Sequence, residues 1–245
     1  MPGLGTTYGR GGATTSPKDL LNSDAILIMG SNMAENHPVG FQWVMEAKEN
    51  GTKVLHVDPR FSRTSAVANI WVPLRAGSDI LFLGGLINYV LKNELIFREY
   101  VVHYTNASVI IPEDFKDTED LEGVFSGWDA EKKKYDPKTW LYEEIESGGD
   151  EKSDAGGGHG QHGVDSSPDL TNYKQDLTLQ HPRCVFQLLK KHFARYTPEM
   201  VAEYCGVSKE AFLHAAKTYC EASGPEKTGA ICYALGGRST RAAFK

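Results

Sequence analysis

Apolar residues recur along this chain with two periods, and the alternation between them predicts its elements. Residues 25–30, AILIMG, are five apolar positions in a row closed by a glycine, as in a strand buried on both faces. After the polar loop SNMAEN, helical spacing runs from residue 37 or 38 to 49 and predicts Val39, Trp43, Val44 and Ala47 on its inward side. Pro38 suits a first helical turn, and Asn50-Gly51 reads as the helix end. Residues 53–57, KVLHV, predict a second strand that closes at Asp58-Pro59-Arg60. A short helix over 64–69 and a third strand over 70–74 follow. After Arg75-Ala76-Gly77, Ser78 is expected to cap a long apolar helix running to about residue 91. This alternation predicts an α/β fold: a Rossmann-like, doubly wound, mostly parallel sheet. Right-handed crossovers then set Gly30, Asp58 and Arg75 on one edge.

The periodicity fades over residues 105–180, which read as a surface insertion in a single domain spanning 1–236. Within it, 146–170 is rich in Gly, Asp and Ser and predicts a solvated loop, so His159 and His162 there read as solvated rather than as metal ligands. Phe125, Trp128, Tyr135, Trp140 and Tyr142 predict packing of the insertion against something larger. Helical spacing returns over 181–195, with Val185, Leu188, Leu189, His192 and Phe193 in phase. Thr197 and Ser208 are expected to cap two more helices, the first ended by Gly206 and the second running to about residue 220. A last strand is expected over 230–235, leading into Gly236-Gly237.

Composition narrows the function. With 26 basic and 32 acidic residues in 245, and a net charge of -6, the chain is not built to coat nucleic acid or an anionic membrane surface. No apolar run approaches the ~20 residues of a membrane span, so direct membrane insertion is not expected. The first residues lack the basic and apolar regions of a signal peptide, so the chain as given would stay cytoplasmic. Cys184, Cys205, Cys220 and Cys232 are too widely spaced for a zinc or iron–sulfur pattern and read as buried thiols. No nucleophile elbow, zinc-protease or phosphate-loop motif is present, and no residue is assigned a catalytic or metal-binding role.

Three polar corners carry the candidate chemistry. The first is Gly30 with Ser31, Asn32 and Glu35, where a strand opens through glycine and backbone N–H groups can approach a pyrophosphate; taken alone, a structural turn is the default reading. In the second, Asp58, Pro59 and Arg60, a strand-end acid can accept from ribose hydroxyls and a guanidinium can fork onto phosphate. The alternative is an Asp58 that caps the following helix. The third is Gly77 and Asp79, where a carboxylate in a first helical turn either favours the helix dipole or accepts the N1 and N2 hydrogens of guanine. Their coincidence at three successive strand ends favours a ligand.

At these corners the sequence resembles the molybdopterin oxidoreductases, and most closely the large subunit of formate dehydrogenases. The resembling stretches are LIMGSNMAENHPVGF, HVDPRFSRTSAVA, RAGSDILFLGGLINYVL, EYVVHYTNAS, LQHPRCVFQLLKKH and RYTPEMVAEYCGVSKEAF. The resemblance implies a bis(molybdopterin guanine dinucleotide) cofactor with Mo or W, oxidation of formate to CO2, and transfer of electrons to an iron–sulfur subunit. It also assigns cofactor-binding roles to the three corners, and to Tyr233, Leu235 and Gly236 on a strand reaching toward the pterin. Tyr8, Gly9 and Arg10 match the loop just after the catalytic centre. The family's metal-ligating selenocysteine or cysteine, its [4Fe-4S] domain and its periplasm-directing twin-arginine signal would precede Met1. A reading frame begun after a selenocysteine codon is therefore expected, and residues 237–245 match nothing in the family and read as an aberrant or truncated tail. The expectation is a catalytic-subunit fragment, inactive alone. The alternative is a free-standing nucleotide-binding or interaction module without catalysis.

Overall fold

The five apolar residues Ala25–Met29 form β1, and all five are buried. The computed structural model describes residues 13, 15–136, 139, 142–144 and 170–233. β2 (Lys53–Val57), β3 (Ile70–Val72) and β6 (Gly229–Tyr233) join β1 in a four-stranded sheet of order β3-β2-β1-β6, with every pairing parallel. β4 (Trp128–Asp129) and β5 (Lys134–Tyr135) pair as a short antiparallel hairpin, a second sheet. Parallel strands have no short way back, so each crossover needs a helix, and those helices cover both sheet faces.

Side chains alternate accordingly. Ala25, Leu27, Met29, Leu55, Val57 and Val72 meet one core, shared with the long helix Asp79–Lys92 and with helices Pro198–Cys205 and Lys209–Cys220. Ile26, Ile28 and Val54 meet the other, under Met33 and the helix Pro38–Glu49. In chain order the helices are α1 (Met33–Asn36), α2 (Pro38–Glu49), α3 (Arg63–Val67), α4 (Asp79–Lys92), α5 (Arg98–Tyr104), α6 (Val185–Phe193), α7 (Pro198–Cys205) and α8 (Lys209–Cys220). The doubly wound α/β reading holds. Thr197 and Ser208 cap α7 and α8 as expected, accepting from the N–H of Met200 and of Ala211.

Some local expectations fail. On α2, Val44 and Ala47 are buried and Trp43 packs against the core as expected, but Val39 is 75% exposed and Phe41 takes the inward place. Ser78 makes no side-chain cap; its hydroxyl donates to the Arg75 carbonyl and tightens the turn before α4. The third strand stops at Val72, two residues early, where Leu74 N–H turns back onto the Val72 carbonyl. α6 is shorter than expected, and none of its residues is fully buried. The helix α5 had no reading in the sequence pattern.

The chain divides into two compact units, residues 1–97 with 192–245, and residues 98–191. In the second, Asp176 ties a loop together: the bond from Thr178 Oγ1, with bonds from the backbone N–H of His181, Thr178 and Gln180, holds its carboxyl down at about 2. Its side-chain bond from Thr178 Oγ1 is the largest cause of that shift. Arg183 gathers the carbonyls of Ile111, Pro112 and Phe115. Trp128 and Tyr135 pair across the hairpin at 4.9 Å. Tyr8, Gly9, Arg10, Trp140, His159, His162, Leu235, Gly236 and residues 237–245 lie outside the described residues.

The first core depends on close approach of α4 to α7 and α8. A Cβ on Gly85 would lie 2.6 Å from Val201 Cγ2 and 2.8 Å from Phe212 Cζ. Gly85→Ala is therefore expected to lose stability: overpacking of roughly 1–3 kcal/mol outweighs the ~0.5–1 kcal/mol that alanine contributes in a helix. Urea unfolding measures it, and a variant as stable as the parent would contradict this packing.

Candidate functional site

Because all four strands run parallel, Met29, Val57, Val72 and Tyr233 end on the same edge. The chain leaves β1 through Gly30, whose φ of 61° is one that L side chains avoid. Ser31 and Met33, which follow, are buried, while Glu35 is exposed. The N–H groups of Ser31, Asn32 and Met33 bond to no other described residue. Polar side chains in this loop are already committed to the protein. Asn32 Oδ1 accepts from Thr64 Oγ1 at 3.0 Å, which in turn accepts from Ala34 N–H at 3.0 Å. The Asn32 amide also donates to Glu35, and Glu35 pairs with Arg63 at 3.1 Å.

At the second corner Asp58 is half-buried and Pro59 and Arg60 are exposed. Asp58 Oδ1 accepts from Arg60 N–H at 2.8 Å, a local turn. Asp58 does not cap the next helix, whose N-cap is Ser62. Trp71 Nε1 donates to the Asp58 carbonyl at 3.0 Å, and Phe61 meets the Trp71 ring edge-on.

At the third corner Gly77, with φ of 90°, turns the chain into α4. Arg75 is drawn to the C-terminal end of α7, with its N–H on the Cys205 carbonyl and Nη1 on the Tyr204 carbonyl. Asp79 is 7% exposed and forms no salt bridge with a described residue. Burial, with a smaller contribution from the Asp58 charge, pushes its carboxyl above the ordinary 3.8. The two acids thus sit within electrostatic reach of each other, one after β2 and the other at the start of α4. A buried carboxylate at a helix N-terminus, held by no cation among the described residues, suits a ligand with two parallel N–H donors.

Sequence reasoning missed His56. Its side chain is fully buried under the first two corners. Nε2 lies 3.1 Å from the Ser31 carbonyl and Nδ1 lies 2.8 Å from Ser65 Oγ. A carbonyl only accepts, so Nε2 carries the proton, and Nδ1 accepts from the Ser65 hydroxyl. Burial lowers the pKa of this histidine below the ordinary 6.5. Alternation along KVLHV was the available signal, since it puts position 56 on the same buried face as Val54.

The fourth strand end opens a further space. β2 and β3 add to one side of β1 and β6 to the other, which makes the gap between β1 and β6 the point where strand order reverses. A cleft of about 680 Å³ lies there, lined by Ser31, Met33, His37, Val39, Cys232 and Tyr233. Of these only Ser31 and Tyr233 were assigned a cofactor-binding role from the sequence. Val39 faces this cleft instead of the core. Burial pushes the Cys232 thiol up to about 11, which favours its protonated form at neutral pH.

A family model described as molybdopterin oxidoreductase matches residues 5–111. Formate dehydrogenase subunit alpha of Megalodesulfovibrio gigas is 46% identical over 233 residues, 95% of this chain and 20% of that protein. The formate dehydrogenase-O major subunit of Escherichia coli strain K12 is 46% identical over 234 residues, with the same two shares. The chain belongs to the molybdopterin oxidoreductase family. It spans about one fifth of the length of the curated relatives it matches. Among solved structures, acetylene hydratase from Pelobacter acetylenicus superimposes with a TM-score of 0.48 at 17% identity, over 90% of this chain and 20% of that one. Residues 5–111 include the first three corners but not Tyr233. No helix among the described residues is long and apolar enough to cross a membrane.

The buried imidazole makes stability depend on pH in a stated direction. Its folded pKa lies below 6.5, so as pH falls the unfolded chain takes up the proton first. The contribution of neutral His56 is complete above pH 6.5 and is lost as the pH falls from there toward the folded value. Urea midpoints of the parent and His56→Gln, followed from pH 8 downward, should show the parent losing its advantage below 6.5; a constant difference would contradict this account.

Proposed function

We propose that this chain supplies the guanine dinucleotide-binding α/β unit of a formate dehydrogenase catalytic subunit. The observation that carries the reading is the pair of acids: Asp79, buried with no described cation, and Asp58 beside it. Asp79 would accept from N1–H and N2–H of guanine, and Asp58 from ribose hydroxyls. The N–H groups of Ser31, Asn32 and Met33 at the opening after Gly30 suit the pyrophosphate. Arg60, exposed at the second corner, suits a phosphate oxygen. Asn32 and Glu35 would shape the loop, being held by Thr64 and Arg63. Gly77 would let the backbone turn beneath the base, and Pro59 would stiffen the second corner. Tyr233 ends the strand beside the cleft, and Tyr233, Leu235 and Gly236 would bind the pterin end.

The cofactor in this proposal is bis(molybdopterin guanine dinucleotide) with Mo or W. When bound, it supplies a two-electron acceptor for oxidation of formate to CO2. The residues of this chain bind and orient its nucleotide end. The whole enzyme would pass electrons through a [4Fe-4S] cluster to an iron–sulfur subunit, and a periplasmic location belongs to the same proposal. The names of the relatives, formate dehydrogenase subunit alpha and major subunit, support the substrate.

The acid–guanine pairing has a chemical test. Asparagine presents one acceptor and one donor in place of two acceptors, which matches xanthine instead of guanine. Asp79→Asn is expected to weaken GDP binding at least about tenfold and to favour xanthosine diphosphate, by the cost of leaving a polar pair mismatched. Calorimetric titration of the parent and the variant with both nucleotides measures it. Equal GDP affinity in the two proteins would remove the assignment of Asp79.

A further inference from the structure

His56 is a buried titratable side chain that the nucleotide reading leaves without a role. It lies on β2 two residues before Asp58, and both ring nitrogens are occupied. The Nε2 bond ends on the Ser31 carbonyl, the second residue after β1. The Nδ1 bond ends on Ser65, whose Oγ also accepts from Ser62 N–H at 2.9 Å. The imidazole therefore joins the opening after β1 to the first turn of α3. Beside it, Thr64 holds Asn32 and Ala34, and Arg63 holds Glu35. Three consecutive residues of α3 thus engage the stretch from Ser31 to Glu35, and the innermost engagement passes through His56.

A backbone loop binds an anion only while its N–H groups point the same way, and a loop of free residues must be ordered at each binding event. Removing the buried bridge would leave the Ser31 carbonyl to reorient, and with it the N–H of Asn32, since both belong to one planar peptide unit. We propose that His56 is a positioning residue: its bridge from the Ser31 carbonyl to Ser65 Oγ fixes the loop after β1 in the shape that receives the nucleotide phosphates. The phosphate assignment rests on the reading given under the proposed function; the bridge itself does not.

The test uses the 245-residue chain with GDP as the probe and two readouts, calorimetric affinity and hydrogen exchange of amides 31–36. His56→Leu is expected to lose affinity about tenfold, of the order set by one buried hydrogen bond, and to exchange faster at 31–36. His56→Gln keeps an N–H donor and a carbonyl acceptor and should recover most of that affinity. A merely structural histidine would lower the melting temperature of both variants and leave the affinity of the folded protein unchanged. Parental affinity in folded His56→Leu would overturn the proposal. If that variant does not fold, Ser65→Ala, which keeps the imidazole in place, is expected to weaken GDP binding several-fold by the same principle, and unchanged binding there overturns it instead. A parent that binds no GDP removes the nucleotide reading; the exchange data then decide the bridge alone, which fails if 31–36 exchange alike in parent and variants.

Discussion

The site depends on β1 having no solvent-facing side. Ile26, Leu27 and Ile28 are buried to within about a percent, on alternate faces of the sheet. Burial of such side chains contributes roughly 1.5–3 kcal/mol each, so the strand holds its place only while both faces stay covered. α2 covers one and α4, α7 and α8 the other. Covering both faces needs helical crossovers, and helical crossovers keep neighbouring strands parallel. Parallel strands then open on one edge, which is where the chain has its polar corners. Core and site follow from one constraint.

On that edge two kinds of polar group are separated. Asn32, Glu35, Thr64, Arg63 and His56 are bonded to one another or to backbone and hold the loops in shape. Arg75 is likewise committed, at the end of α7. The backbone N–H groups at the first corner bond to no other described residue, and the Asp79 carboxylate, which accepts from its own N–H, pairs with no described cation. Division of labour of this sort is what a preformed binding edge requires: the framework is satisfied internally, and the groups left over are those that a ligand can satisfy.

Most of the fold was legible because burial on two faces writes a continuous apolar run, as in AILIM, and burial on one writes helical spacing. The first two corners were legible as polar residues directly after strands, and the third as a glycine turn leading into a long apolar helix. What escaped has physical causes. Val39 has the right character for the core, but the phase of α2 is set by Phe41, Val44 and Ala47, and Val39 is left at the cleft. Ser78 resembles a helix cap, yet the closing turn at Gly77 gives its hydroxyl a nearer acceptor in Arg75. The role of Glu35 depends on Arg63, 28 positions away, a partner that no local pattern reveals. His56 was hidden in an apolar strand, and its meaning lies in Ser31 and Ser65, contacts across the fold.

The central claim is that the carboxyl-end edge of the sheet is a nucleotide cradle. Mapping amide chemical shifts across the chain during a GDP titration tests it most directly. The account predicts saturable shifts concentrated at 30–35, 58–60 and 77–80, with the opposite edge near Asp24 and Lys53 unmoved. Saturable shifts centred on that opposite edge, or none at the three corners under saturating GDP, would contradict it.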